Sequence, residues 1–105
     1  MLSRYIILSM HLRDLMSVFV VTCEELGDAI GVTKQTVSNL ATRKSAMTKE
    51  HYIAIRLYFD YLVDRIDKFD QESNELKMHT YILAFGTKTL EEELEYMFNL
   101  SIRRR

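Results

Sequence analysis

Apolar and polar positions along this chain follow the spacing of helices rather than that of strands. From Ser3 to Phe19, apolar residues recur at steps of three and four positions, which predicts a first helix over this stretch. These positions are Tyr5, Leu8, Leu12, Leu15 and Phe19. The apolar run Tyr5–Leu8 fits a strand equally well on its own, and in that case the helix would begin nearer His11.

A second, shorter helix is predicted to begin at Cys23 and to end at Gly31. Thr22 is suited to cap its first turn, with Glu25 reaching back as in a capping box. Gly31 can take the left-handed conformation that ends a helix. The positions expected to face the core are Leu26, Ala29 and Ile30.

A third helix restarts at Thr33, with Val37 and Leu40 as a narrow apolar stripe. The stripe leaves four polar side chains for solvent or a partner, namely Lys34, Gln35, Ser38 and Asn39. Gly27 stands in the middle of the second helix, where glycine costs about 1 kcal/mol relative to alanine. We therefore expect the third helix to approach closely at Gly27, with a tolerated imperfection of the helix as the alternative.

A fourth helix, capped by Thr48, is predicted to run to about Lys68. Its apolar positions repeat every seven residues, and further apolar residues fall on other faces, which is more apolar surface than one core contact needs. The repeating positions are Tyr52, Ile55, Phe59, Leu62, Ile66 and Phe69.

Two more helices complete the prediction. The fifth spans about Gln71 to Phe85, and the sixth begins at a capping box of Thr89 and Glu92 and ends near Ile102. The sequence therefore predicts an all-α fold of five to six helices. We expect a helix-turn-helix bundle over residues 1–58 and a helical extension over 59–105, continuous with the same compact domain.

Composition limits the class of protein. The chain of 105 residues is one domain by length, and its 48% apolar content can bury a real core. The single cysteine, Cys23, excludes an internal disulfide, so we expect a reducing cytoplasm. The apolar stretch Met1–Met10 is too short for a membrane span, so no membrane association is expected.

Charge is segregated along the chain, although the formal net charge is only -1. Between Ala29 and Phe59, five bases oppose one acid, a net charge of +4. From Asp60 to Leu100, ten acids oppose four bases, a net charge of -6. A polyanion would be attracted to the first region and repelled by the second, while a solvated face is the ordinary interpretation of the Glu91–Glu95 run.

The segment Thr22 to Arg43, TCEELGDAIGVTKQTVSNLATR, resembles the helix-turn-helix of the Cro and phage-repressor family of DNA-binding regulators. The residues in register with the family pattern are Glu24, Glu25, Leu26, Gly31, Val32, Thr33, Thr36, Val37 and Ser38. The resemblance extends over about residues 11–58. This sequence departs from the family at Cys23, where glutamine is usual, at Gly27, where alanine is usual, and at about Asp60, where the family has glycine after its fourth helix.

The resemblance implies that the third helix enters the major groove of double-stranded DNA. Base contacts are then expected from Lys34, Gln35, Ser38 and Asn39, with Lys34 suited to guanine and the two amides suited to adenine. Phosphate contacts are expected from Thr33, Arg43, Lys44 and Lys49. The alternative for all of these is an ordinary exposed helix face.

Catalysis, a metal and a cofactor are not expected. His11, His51 and His79 are far apart in sequence and have no cysteine or carboxylate at ligand spacing. Cys23 stands at the N-terminus of a helix, where a thiolate is favoured and a redox role is conceivable, although a plain small residue is the simpler interpretation. The carboxylates form no recognisable catalytic set.

We therefore expect a cytoplasmic, sequence-specific regulator of bacterial or phage type, acting as a repressor-like homodimer. The alternative is a protein-interaction module on the same scaffold, an anti-repressor or antitoxin whose acidic C-terminal half binds a regulatory protein partner. Contacts of the dimer or of that partner are expected from Phe59, Leu62, Ile66, Leu94, Met97 and Phe98. Periodicity cannot separate such contacts from intramolecular core.

Overall fold

The chain folds into helices joined by short connections. The structure is a computed structural model that describes residues 3–66 and 69–103, with the backbone alone described for 97–103. Within these ranges there are six helices and no strand: α1 (Arg4–Phe19), α2 (Cys23–Ile30), α3 (Lys34–Ala41), α4 (Lys49–Asp64), α5 (Gln71–Phe85) and α6 (Leu90–Arg103). The predicted all-α fold is confirmed.

Hydroxyl side chains fix where the first four helices begin. The Oγ of Ser3 accepts a hydrogen bond from the amide of Ile6 over 3.2 Å, so Tyr5–Leu8 is helical and the strand alternative is wrong. Thr22 and Thr48 cap α2 and α4 as predicted. In the second of these caps the usual glutamate is replaced by His51, whose Nδ1 accepts from the Thr48 amide.

One hydrophobic core joins the first five helices. Its members are Leu8, Leu12, Leu15, Met16, Val21, Leu26, Val37, Leu40, Met47, Tyr52, Ile55, Phe59, Ala84 and Phe85. Residues on both sides of position 58 belong to it, so the extension packs onto the helix-turn-helix, mainly through α5 against α1. Ala29, predicted to face this core, is exposed, because α2 turns only Leu26 and Gly27 fully inward.

Phe59 is a core residue and not part of a dimer surface. Its ring is fully buried and lies 5.4 Å from the ring of Phe19 and 6.4 Å from that of Phe85. For Phe59 the intramolecular alternative therefore holds. Leu62, Ile66 and Leu94 are half-buried, whereas the side chains of Met97 and Phe98 lie outside the described residues.

The fourth helix ends earlier than predicted, at Asp64 rather than near Lys68, and Lys68 itself lies outside the described residues. The amides of Arg65 and Ile66 bond to carbonyls three residues back, at Leu62 and Val63, which tightens and ends the helix. Phe69, predicted to continue the apolar repeat, is 96% exposed. The apolar repeat predicted for the fourth helix therefore does not continue into the core at Phe69.

No helix in the described ranges is by itself long and apolar enough to cross a membrane; α1 and α2 qualify only as a pair, and they are bent by 109° relative to each other.

Candidate functional site

The helix-turn-helix is set by a close contact between α2 and the start of α3. A Cβ atom added at Gly27 would lie 2.7 Å from the carbonyl oxygen of Val32 and 3.3 Å from the amide nitrogen of Lys34. Only a residue without a side chain fits there, and this confirms the predicted reason for glycine. Gly31, with φ 79°, makes the left-handed turn that reverses the chain between the two helices.

The N-terminal end of α3 is held by its cap. Thr33 accepts from the amide of Thr36 over 3.1 Å, and the hydroxyls of the two threonines lie 3.0 Å apart. The Thr33 hydroxyl, predicted to contact phosphate, is therefore already engaged within the helix. Val37 and Leu40 are fully buried as predicted.

The exposed face of α3 carries the side chains predicted to read bases. Lys34 and Gln35 are exposed in the first turn, while Ser38 and Asn39 are half-buried one turn further on. Nε2 of Gln35 donates to Oδ1 of Asn39 over 3.0 Å. Helix periodicity predicts that the side chains of Gln35 and Asn39 lie on one face of α3, and in the structure they are hydrogen-bonded to each other.

Arg43 and Lys44 leave α3 through a strained turn. Arg43 has φ 62°, and the amides of Arg43 and Lys44 donate to the carbonyls of Leu40 and Asn39. This pair of bonds is a Schellman motif, in which glycine is the usual residue at the left-handed position. Arg43 and Lys44 are both exposed, and Lys49 is exposed at the first residue of α4.

The segment Ala29–Phe59, which has a net charge of +4 by sequence, presents less positive charge at the surface than this count indicates. Arg56, one of the five bases counted there, is 1% exposed and forms an ion pair with Glu93. Three acids of α2, Glu24, Glu25 and Asp28, are exposed in the helix packed against α3. From Thr22 to Lys49, four bases oppose these three acids, a net charge of +1.

A largely buried polar cluster joins α1, α4 and α6. Nη1 of Arg56 lies 3.0 Å from Oε2 of Glu93 and 3.2 Å from the hydroxyl of Tyr52, which donates to the same carboxylate over 2.6 Å. Arg4 lies 3.5 Å from the other oxygen of Glu93. Burial, followed by the hydrogen bond to Glu93, raises the pKa of Tyr52. This cluster attaches α6 to the rest of the fold.

The three histidines lie in separate parts of the structure. His51 caps α4, His79 is exposed, and His11 lies beside Asp14 in an open groove of about 230 Å³ between α1 and α5. The groove is also lined by Ser17, Val18, Leu76, Thr80 and Leu83. Among the residues that the structure describes, no three His, Cys, Asp or Glu side chains are grouped as metal ligands.

No protein-family model matches the chain, and no curated protein or solved structure is significantly similar to it. The site is therefore defined by its own residues and geometry.

Proposed function

We propose that this protein is a sequence-specific DNA-binding regulator of repressor type, acting in the cytoplasm of a bacterial or phage-infected cell. The observation that carries the proposal is the geometry of α2, Gly31 and α3. Gly27 and the threonine caps fix α3 so that its apolar stripe is buried and its polar face is presented outward. Such a helix fits the major groove, which admits one helix and offers donors and acceptors on base edges.

The roles of the side chains follow from their positions along α3. Lys34 and Gln35 stand in its first turn, the part of a recognition helix that meets base edges. Arg43, Lys44 and Lys49 follow the helix and supply charge for phosphates, which sets affinity without reading sequence. The segment Thr22–Lys49 has a net charge of only +1, so we expect weak binding to DNA of unrelated sequence. Discrimination between sequences must then depend largely on the side-chain amides of Gln35 and Asn39.

Selection of bound sequences from a random pool of duplex DNA tests the proposal. We expect a preferred site to emerge, with affinity that falls steeply as salt increases. Lys44→Ala should weaken binding to preferred and random sites alike and lower the salt slope by about one. Arg13→Ala removes an exposed base from α1 instead and is the matched control. If no sequence is enriched and both variants bind as the wild type does, the proposal is wrong.

The second candidate function, a module that binds another protein, is favoured by the exposed acids. Glu24, Glu25 and Asp28 on α2 and Glu91, Glu92 and Glu95 on α6 are all exposed. They would suit a basic protein partner better than a polyanion. A protein-only module would enrich no preferred site from the random pool even at low salt, and this result separates the two candidates.

A further inference from the structure

Gln35 and Asn39 form one hydrogen-bonded pair in the free protein. Nε2 of Gln35 lies 3.0 Å from Oδ1 of Asn39, and the two residues are one helical turn apart on α3. Gln35 is exposed, whereas Asn39 is half-buried. Gln35 is therefore accessible to a ligand, and Asn39 contacts Gln35 from the side nearer the protein.

The hydrogen bond leaves the outer amide able to recognise adenine. The Nε2 group of glutamine has two hydrogens, and the bond to Asn39 uses one of them. The remaining hydrogen and Oε1 form the donor and acceptor edge that pairs with N7 and N6 of adenine. Gln35 can thus donate to Asn39 and contact a base at the same time.

Asn39 is the more enclosed of the two residues, because it is half-buried whereas Gln35 is exposed. Its side chain is also one rotatable bond shorter than that of glutamine. Glutamine is among the side chains that lose most rotamer freedom when they are ordered. The hydrogen bond to Asn39 orders Gln35 before DNA binds, so it lowers the entropic cost of contacting a base.

We infer that Asn39 is a positioning residue for Gln35, and that the two amides read a single adenine as a unit rather than two adenines independently. The inference rests on the proposed function and makes it more specific. It replaces the expectation that Asn39 pairs with a base of its own. Removing Asn39 should therefore affect the base pair that Gln35 reads.

The first experiment needs no DNA. The side-chain amide of Gln35 is observed by NMR in the free wild type, in Asn39→Ala and in Asn39→Asp, which keeps an oxygen as acceptor. We expect the order parameter of this amide to fall in Asn39→Ala and to stay near the wild-type value in Asn39→Asp. Equal mobility of the amide in wild type and Asn39→Ala would overturn the inference whether or not the protein binds DNA.

The second experiment uses the DNA site selected with the wild type. The base pair whose preference is lost in Gln35→Ala identifies the position that Gln35 reads. Asn39→Ala should reduce the preference at that same position by roughly fivefold or more, and should add nothing in the Gln35→Ala background. Asn39→Asp should keep the preference while weakening binding to all sequences, because it adds a negative charge to the surface that is proposed to bind a polyanion.

The DNA experiment distinguishes failure of the inference about Asn39 from failure of the proposed function. If Asn39→Ala abolishes preference at a different base pair and leaves that of Gln35 intact, Asn39 is an independent reader and the inference is wrong. If no preferred site is selected at all, the proposed function fails, while the NMR comparison still decides whether the pair exists. Circular dichroism of each variant shows that α3 remains folded.

Discussion

The guanidinium of Arg56 and the carboxylate of Glu93 lie 3.0 Å apart with both side chains almost fully buried. Arg56 also donates to the carbonyl of Lys88 and stands 5.4 Å from the centre of the Phe85 ring. A buried charge is costly unless it is paired, so each residue explains the burial of the other. The ion pair spans α4 and α6 and makes the position of α6 depend on Glu93.

Glu93→Ala should lower the free energy of unfolding by about 3 kcal/mol or more, because it leaves the buried Arg56 unpaired. Glu95→Ala, which removes an exposed acid from the same helix, should change it by no more than about 0.5 kcal/mol. Urea denaturation followed by circular dichroism gives both values. Equal effects of the two substitutions would contradict the role of the pair.

A second prediction concerns alkaline pH. Burial, and then the hydrogen bond that Tyr81 donates to Asp60, raise the pKa of Tyr81 from its ordinary value of 10.0 to about 12. Since the folded state favours the neutral phenol, the stabilising contribution of Tyr81 is complete below pH 10.0 and is lost as the pH rises to about 12.

Replacing Tyr81 by phenylalanine should remove this part of the pH dependence. Urea midpoints measured between pH 9 and 12 should fall less steeply for Tyr81→Phe than for the wild type, in roughly the range set by the two pKa values. An identical slope for both proteins would show that Tyr81 ionises alike in the folded and unfolded states. Ultraviolet absorbance of the phenolate follows the ionisation directly.

The features that depend on neighbours along the chain are predictable from the sequence. The caps at Thr22, Thr33 and Thr48 and the turn at Gly31 are local hydrogen-bonding or backbone requirements, and the structure contains all four. Gly27 was predictable for a similar reason, since a glycine inside a helix indicates a close approach of another segment.

Features that depend on distant partners were not predictable. Arg56 is one of the five bases that the sequence predicts to attract a polyanion, because nothing near it in sequence shows that Glu93, 37 positions later, reaches it in the core. Phe59 fits both a dimer or partner surface and the intramolecular core by sequence, because helical spacing does not show which apolar face is covered within the chain. The bond between Gln35 and Asn39 depends on rotamers, which spacing alone does not fix.

A third prediction tests the contact between α2 and α3. Gly27→Ala gains about 1 kcal/mol in helix propensity but places a methyl group against the Val32 carbonyl at a fixed backbone position. We expect a net loss of roughly 1 to 3 kcal/mol in unfolding free energy, as for other overpacked sites. Asp28→Ala, at the exposed neighbouring position, is the control and should be near neutral. A Gly27→Ala protein more stable than wild type would show that α3 can move away freely.

A fourth prediction is that the protein is a homodimer. If α3 is the recognition helix we propose, it reads few base pairs by itself, and regulators that use such a helix gain specificity by pairing on half-sites about 34 Å apart. With Phe59 in the core, Leu62, Ile66 and Leu94 are the described members of the predicted surface that retain some exposure. Light scattering after size exclusion at micromolar concentration should give twice the mass of the 12.4 kDa chain. A monomeric mass, both free and on DNA, would contradict the dimer.

The last prediction is that one substitution in the turn after α3, Arg43→Gly, changes stability and DNA affinity in opposite directions. Arg43 occupies a left-handed position, with φ 62°, where a residue with a side chain costs about 1 to 2 kcal/mol relative to glycine. Arg43→Gly should therefore raise the free energy of unfolding by about 1 kcal/mol, after allowing for the greater freedom of unfolded glycine. The same substitution removes a proposed phosphate contact, so it should weaken DNA binding and lower the salt slope by about one.

Val20→Gly is the matched control for Arg43→Gly. Val20 has φ 56° in the same kind of turn after α1 and is 83% exposed, but it carries no charge. Its replacement should raise stability by a similar amount and leave DNA affinity unchanged. If Arg43→Gly bound DNA as the wild type does, Arg43 would not contact phosphate. If both variants lost affinity equally, relief of the turn rather than loss of charge would be the cause.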